Sequence, residues 1–462
     1  MGGTLCLEAA RDPWMRIQEV AEGAYDRTAA CQFTSFVAYE WTATPGGNNL
    51  HRNIVFRNED VPDLPVSYIE EPRAERMWER LDAVCAESGG RCEALSIPHN
   101  SNASGGQMFT TDYGGASTIE EQREVAQRRH RLERLMEIFQ HKGSSECAYP
   151  DFSSDESCAF ELIDNQVEVE APQALSSTRY DFLRGALPLG LSEYLRLGVN
   201  PFELGVIAST DTHNSTPGLV REDDWPGHVG VNDADTVRSS AEFSPGGLVG
   251  VWAIENSRDA IFEAMLRRET FGTSGPRIQP RLFAGWGFDT GLCAASDLLE
   301  RAYAEGVPMG ATLPARPAEA EAPTFIVQAA QDLDPLERTQ IVKVWMNEQG
   351  DPEEHVYDVA VAPDELTVDT ATCVERGSGL STACNVFTDP DFDPAVPAAY
   401  YVRVLEGPSC RWLTHACNAL SPQQRPRQCS DPEIPKTIRE RAWTSPVFYL
   451  PPGWGAESRA SS

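Results

Sequence analysis

Apolar residues recur along the chain with two periods, and the two alternate. Behind an Asp12–Pro13 start signal, WMRIQEVAEGAYDR carries them at helical spacing. So do RAERMWERLDAVCAES, STIEEQREVAQRRHRLER, the stretches around ALSSTRYDFLRGAL and LSEYLRLG, and SRDAIFEAMLRRET. Between them lie short runs of aromatic and β-branched residues: FTSFVAYEW at 33–41, HRNIVFRN at 51–58, EALSIPHN at 93–100, LMEIFQ at 135–140, and LGVIAST. Helices alternating with short apolar strands predict an α/β fold built on a mostly parallel sheet or barrel.

Beyond about residue 290 the pattern changes. Pro and Ala concentrate in ATLPARPAEAEAPT, and TFIVQAA, TQIVKVWM, EHVYDVAVA, AAYYVRVLE and SPVFYL follow as strand-like runs separated by turn residues. The expected organisation is a first unit over 1–290, a linker over 291–322 and a mainly antiparallel β domain over 323–462.

The strands of the first unit end on polar chemistry. GVIASTDTHNSTPG places Asp211 and His213 two residues apart just past an apolar run, so in an extended strand both side chains face one side, where α/β folds bind ligands. The alternative is an Asx-type turn that closes the strand, with Pro217 and Gly218 finishing the loop. Glu40 and His99 also follow apolar runs, and His51 opens one after TPGGNN. In a parallel barrel the C-terminal strand ends share one mouth, where these residues would meet. Imidazole with carboxylate suits zinc, manganese or iron, and two such ions lower the pKa of a bound water and steady a leaving oxygen. The reaction class implied is hydrolytic.

Composition narrows the partners. Hydrophobic residues make up 41% and charged residues 23% of the 462-residue chain, as in ordinary globular proteins, and no apolar run approaches a membrane span. Net charge is −32, from 38 Lys plus Arg against 70 Asp plus Glu. That argues against nucleic acid or an anionic membrane as partner, so an anionic small-molecule substrate needs local help from metal or arginine. The oligomeric state is left open. Twelve cysteines include the close pairs Cys85/Cys92, Cys147/Cys158, Cys373/Cys384 and Cys410/Cys417, with Cys429 nearby. Short disulfide loops explain them and point to the periplasm or outside the cell; reduced core cysteines in the cytoplasm are the alternative. MGGTLCLEAARDPW shows no signal peptide, so the extracytoplasmic reading expects one to be absent from this chain.

FVAYEW, HRN eleven residues after Glu40, IPHN, MEIFQHKG and GVIASTDTHN together resemble the later motifs of the PHP (polymerase and histidinol phosphatase) superfamily in their usual order. The likeness is greatest to a bacterial branch known only as a domain of unknown function, and it extends to FGTSGPRI and ERAWTSPVFY. It implies a distorted (β/α)7 barrel with up to three divalent metal ions. Glu40 would bridge two of them, His51 and His99 would share its second metal, Asp211 would complete the first and His213 would serve the third. Glu137 and His141 match a motif lining that family's site; a solvated strand end is the other reading of this pair. The family opens on an H-x-H strand, and no histidine precedes Glu40 here, so the resemblance implies a missing N-terminal segment.

Arg52, Lys142 and Arg277 are candidates for an anionic group, Arg277 because TSGPR sets glycine-flanked N–H groups beside a guanidinium. Surface solvation is the competing reading, and for Lys142 the preferred one. Asn100 and Asn214, next to His99 and His213, complete the expected substrate-facing set. The expectation is a metal-dependent phosphoesterase in which Glu40, Asp211 and Arg277 are catalytic. An amidohydrolase-like enzyme and a non-catalytic metal-binding remnant are the alternatives.

Overall fold

The computed structural model describes residues 2–87, 91–163, 176–229, 237 and 241–452, with side chains from Glu8 onward. Helix α1 (Gly2–Ala24) runs through Pro13 and so begins well before the expected start signal. Strands β1 (Ala38–Trp41), β2 (Arg52–Phe56) and β3 (Ala94–Pro98) form an antiparallel sheet in that order. Alternate residues of β2 are buried, and its Ile54 and Phe56 join Trp14, Trp41, Trp78 and Leu81 in one core. That core receives α1 and α2 (Ala74–Glu87). Helix α3 (Ile119–Leu132) starts at a capping box in which Thr118 and Glu121 satisfy each other's backbone N–H groups. It leads into β4 (Leu135–Gln140), buried along its whole length. β4 pairs antiparallel with β5 (Gly143–Ser144) and parallel with β6 (Gly205–Ala208).

The remaining described sheets are antiparallel. One holds β7 (Leu248–Val251) and β8 (Thr270–Thr273) together with Arg441–Thr444, Ala398–Glu406, Leu336–Met346 and Pro352–Val361. Another joins Gly306–Pro308, Gln279–Gly285, Thr324–Ala330 and Thr382–Thr388.

The chain is thus a mixed α/β protein with mainly antiparallel sheets, and among the described residues no sheet closes into a barrel. The expected parallel sheet is reduced to the β4–β6 pair. Alternation of helix and strand misleads here because α2 lies between β2 and β3, yet the chain returns antiparallel. The expected division into units also needs correction. β8 pairs with Arg441–Thr444 and Gln279–Gly285 pairs with Thr324–Ala330, so both sheets cross the 291–322 segment. That segment is itself part of the fold, contributing helix Leu298–Glu305 and strand Gly306–Pro308.

Among the described residues five disulfides link Cys85–Cys92, Cys147–Cys158, Cys293–Cys384, Cys373–Cys410 and Cys417–Cys429. The first two are the expected pairs. Cys373 and Cys410 bond to each other rather than to their sequence neighbours, because the fold brings their Cα atoms to 5.5 Å. No helix of the described residues is long and apolar enough to cross a membrane.

Candidate metal centre

Antiparallel pairing explains why one candidate ligand opens a strand while two close theirs. The end of β1, the start of β2 and the end of β3 lie at one sheet edge, with Trp41 opposite Arg52 and Arg52 opposite Pro98. Just beyond that register, His99 N–H donates to His51 O, which sets the two imidazoles side by side with centroids 5.5 Å apart. Glu40 lies opposite Asn53, two residues from His51 and on the same face. Its Oε1 is 2.8 Å from His51 Nδ1 and 3.7 Å from His99 Nε2, and it accepts the Thr42 hydroxyl at 2.9 Å. The Thr44 hydroxyl meets His51 Nε2 at 2.9 Å.

His99 is 1% exposed, and neither ring nitrogen has a hydrogen-bond partner. A buried imidazole left in that state is costly, and a cation between Nε2 and the Glu40 carboxylate would relieve it. Glu40, His51 and His99 each offer one ligand atom within 4.8 Å of the other two. This mixed nitrogen and oxygen set fits zinc, manganese or iron. Burial pushes the Glu40 carboxyl up, but His51 and His99 beside it hold it well below the usual range. Burial would depress the His99 imidazole, and the carboxylates of Glu40, Glu137 and Asp211 raise it.

β4 and β6 bring the next layer. Glu137 on β4 is 1% exposed; it accepts the Asn100 N–H at 3.3 Å and the Ser209 hydroxyl. Burial and the Asp211 charge push its carboxyl up to about 7, against the pull of His99 and Lys142. Asp211 follows β6 in a left-handed conformation (φ 53°), and its Oδ2 takes Lys142 Nζ at 2.5 Å and Gln140 Nε2 at 3.2 Å. Lys142, read from sequence as a solvated side chain, is instead an inward ion-pair partner. Burial raises the Asp211 carboxyl, while Lys142 and His99 bring it below its ordinary value.

His141 and His213 belong to a second cluster. His141 Nδ1 is 2.8 Å from His228 Nδ1, and burial together with His228 pushes the His141 imidazole down to about 3. His213 is exposed, holds the Asp211 carbonyl at 2.8 Å and packs on His228 with centroids 4.6 Å apart. Gly246 closes this corner at φ 83°; a Cβ there would stand 2.7 Å from His141 Cδ2.

Four expected residues do other work. Arg52 is 2% exposed, bonds Glu133 at 2.7 Å and lies between the Trp41 and Trp78 rings, so it is a core ion pair. Arg277 has an exposed side chain, and its backbone N–H donates to Asp332 at 2.9 Å. Asn100 bonds Asn102 and Asn49, and Asn214 bonds Thr212, Thr216 and the Gly227 carbonyl, so both amides are engaged in local loop contacts.

A family model described as protein of unknown function (DUF3604) matches residues 2–451. The chain belongs to the DUF3604 family. No curated protein and no solved structure matches it. Within this DUF3604 chain, sequence reasoning missed His228, which lies in PGHVG with no apolar run before it to mark a strand end. It also missed Trp225, packed on His141 at 5.4 Å, and the hydroxyls of Thr42, Thr44 and Ser209, which are too common in loops to signal a site.

Proposed function

We propose that this chain is a metal-dependent hydrolase of PHP type, acting on phosphate esters in an extracytoplasmic compartment. The observation that carries the reading is the convergence of Glu40, His51 and His99 around a buried imidazole with two idle nitrogens. A divalent ion held by these three residues would act as a Lewis acid and make a water molecule a better nucleophile. Lys142, held by Asp211, offers a positive charge for a substrate anion beside that group. Glu137, with a carboxyl near 7, is suited to accept or return a proton at neutral pH. Thr42 and Thr44 orient the Glu40 carboxylate and the His51 ring. β3 lies beside β4 and β4 beside β6, so the strand ends form an arc, consistent with part of a PHP barrel. The resemblance allows for three ions. The other close donor group among the described residues, Cys373, Cys410 and His415, has its sulfurs in a disulfide. Five disulfides support the compartment.

The test is to strip the protein with chelator, restore zinc, manganese or iron(II) singly, and follow p-nitrophenyl phosphate and bis(p-nitrophenyl) phosphate. Metal-dependent phosphate-ester cleavage that disappears in His99→Ala is the expected result. A metal-loaded protein that opens amides or lactones and spares phosphate esters would move the assignment to the amidohydrolase-like alternative.

A further inference from the structure

A cleft of about 450 Å³ opens beside the β-rich sheet, and none of its lining residues belongs to the metal centre. Three of them, Arg338, Leu405 and Arg441, lie opposite one another across the neighbouring strands Leu336–Met346, Ala398–Glu406 and Arg441–Thr444. Residues in register point to one face, so two arginines flank an apolar side chain over about 10 Å of sheet. Arg441 is 4% exposed. Every other buried arginine of the described residues holds a carboxylate, from Arg52 on Glu133 to Arg411 on Glu161, and Arg441 holds none. Its guanidinium carbon lies 3.6 Å from the Phe160 ring centre, Nη1 donates to Ser157 O at 2.9 Å and Nε to Arg439 O at 3.3 Å. Nη2 makes no hydrogen bond, yet it is not among the side-chain atoms sealed from water, so it opens on the cleft.

The acids nearby are engaged by other cations. Glu146 and Asp155 are shared by Arg184 and Arg403, and Glu161 grips Arg411 with both oxygens at 2.9 Å. Glu337 lies between Arg338 and Arg439, and Asp358 stands 3.6 Å from Arg338. Burial and Glu222 push the Glu440 carboxyl well up, so it adds little charge, and Glu156 is exposed on the rim. Burial and Arg403 push the Arg441 guanidinium down to about 9, which leaves it charged at neutral pH. In a chain of net charge −32, a buried cation without an acid is a costly arrangement that a bound anion would relieve. The surroundings select the anion. One unpaired guanidinium fits one negative charge, and its planar fork matches a carboxylate. Leu405, Pro435 and Ile438 add an apolar wall, against which an inorganic ion has nothing to place, and a space of this size holds a small organic molecule.

We propose that this cleft binds a small organic carboxylate, with its head on Arg441 Nη2 and its hydrocarbon body along Leu405 and Ile438. The experiment titrates the full chain, before and after chelator treatment, with hexanoate, hexanol and inorganic phosphate, following heat at fixed ionic strength. Hexanoate should bind saturably at one per chain, at least tenfold more tightly than hexanol or phosphate. Chelation should leave that binding unchanged, which separates this site from the metal centre. Arg441→Met should abolish it. Thr437 lines the cleft and is half-buried, so Thr437→Trp fills the space with Arg441 still in place and should weaken hexanoate at least tenfold while circular dichroism is unchanged. Hexanoate that gives no more response than hexanol, binding that disappears with the metal, phosphate that binds as tightly, or a Thr437→Trp protein that binds as well as the parent would each overturn the assignment.

Discussion

His51 and His99 face each other across the edge of the β2–β3 pairing with ring centroids 5.5 Å apart, while Glu40 reaches the same gap from β1. Three neighbouring strands thereby supply one ligand atom each, and the sheet register decides whether they meet.

His99→Ala should therefore cost metal affinity far more than it costs the fold. Changes to outer partners of metal ligands typically lose about 10- to 100-fold in affinity, and loss of a ligand should exceed that range. Elemental analysis after dialysis should give about one ion per parent chain and almost none in the variant. Equal metal content in both would show that the histidine is structural.

Lys142 and Asp211 should couple strongly in stability. Their 2.5 Å pair is only 13% and 12% exposed, so Lys142→Met leaves a carboxylate buried without its cation, at a cost on the order of 3 kcal/mol. The double variant Lys142→Met/Asp211→Asn should recover much of that loss. Denaturant midpoints of the four proteins in the cycle measure the coupling.

Thiol counting addresses the cysteines. Among the described residues five disulfides engage ten of the chain's twelve cysteines, so the denatured, unreduced protein should show at most two thiols. Removal of Cys293–Cys384, which spans 91 residues, should destabilise by about 4 to 5 kcal/mol. Removal of Cys85–Cys92, which spans 7, should cost about 2 kcal/mol.

Glu406 should make stability fall with rising pH. Its folded pKa, about 9, lies above the ordinary 4.5, so the folded protein holds the proton more tightly than the unfolded chain. That contribution is fully present below about 4.5 and is lost as pH climbs through about 9. Glu406→Gln should be more stable than the parent at about pH 8, by on the order of a few kcal/mol, and near parity at about pH 4. Unfolding midpoints across that range check it.

Much of this was legible in the residues, and the failures have physical causes. LMEIFQ and TFIVQAA correspond to β4 and Thr324–Ala330, because a short apolar run bounded by polar residues has little alternative. Glu40, His51 and His99 stood out as polar groups at strand ends, and they do converge. The strand direction that brings them together was hidden, since an antiparallel edge collects one strand's start with its neighbours' ends. Arg52 misled because a guanidinium within HRN looks like an anion ligand, whereas Glu133, distant in sequence, already neutralises it. His228 was silent: its loop carries no periodicity, and its contacts with His141 and His213 give it meaning.

The Ser445 hydroxyl accepts the Val206 N–H at 2.9 Å and meets the Thr270 hydroxyl at 3.0 Å, tying β6 and β8 to a residue 239 positions beyond Val206. β6 is the strand that delivers Asp211. During synthesis, that strand has to wait for hundreds of residues before its backbone is fully paired, and contacts of such range are the slow ones to form. The Asp211 side of the site thus has its last backbone partner only when the C-terminal region is in place. Ions present while the chain is still emerging meet, at most, the Glu40, His51 and His99 edge, whose partners all lie within the first hundred residues.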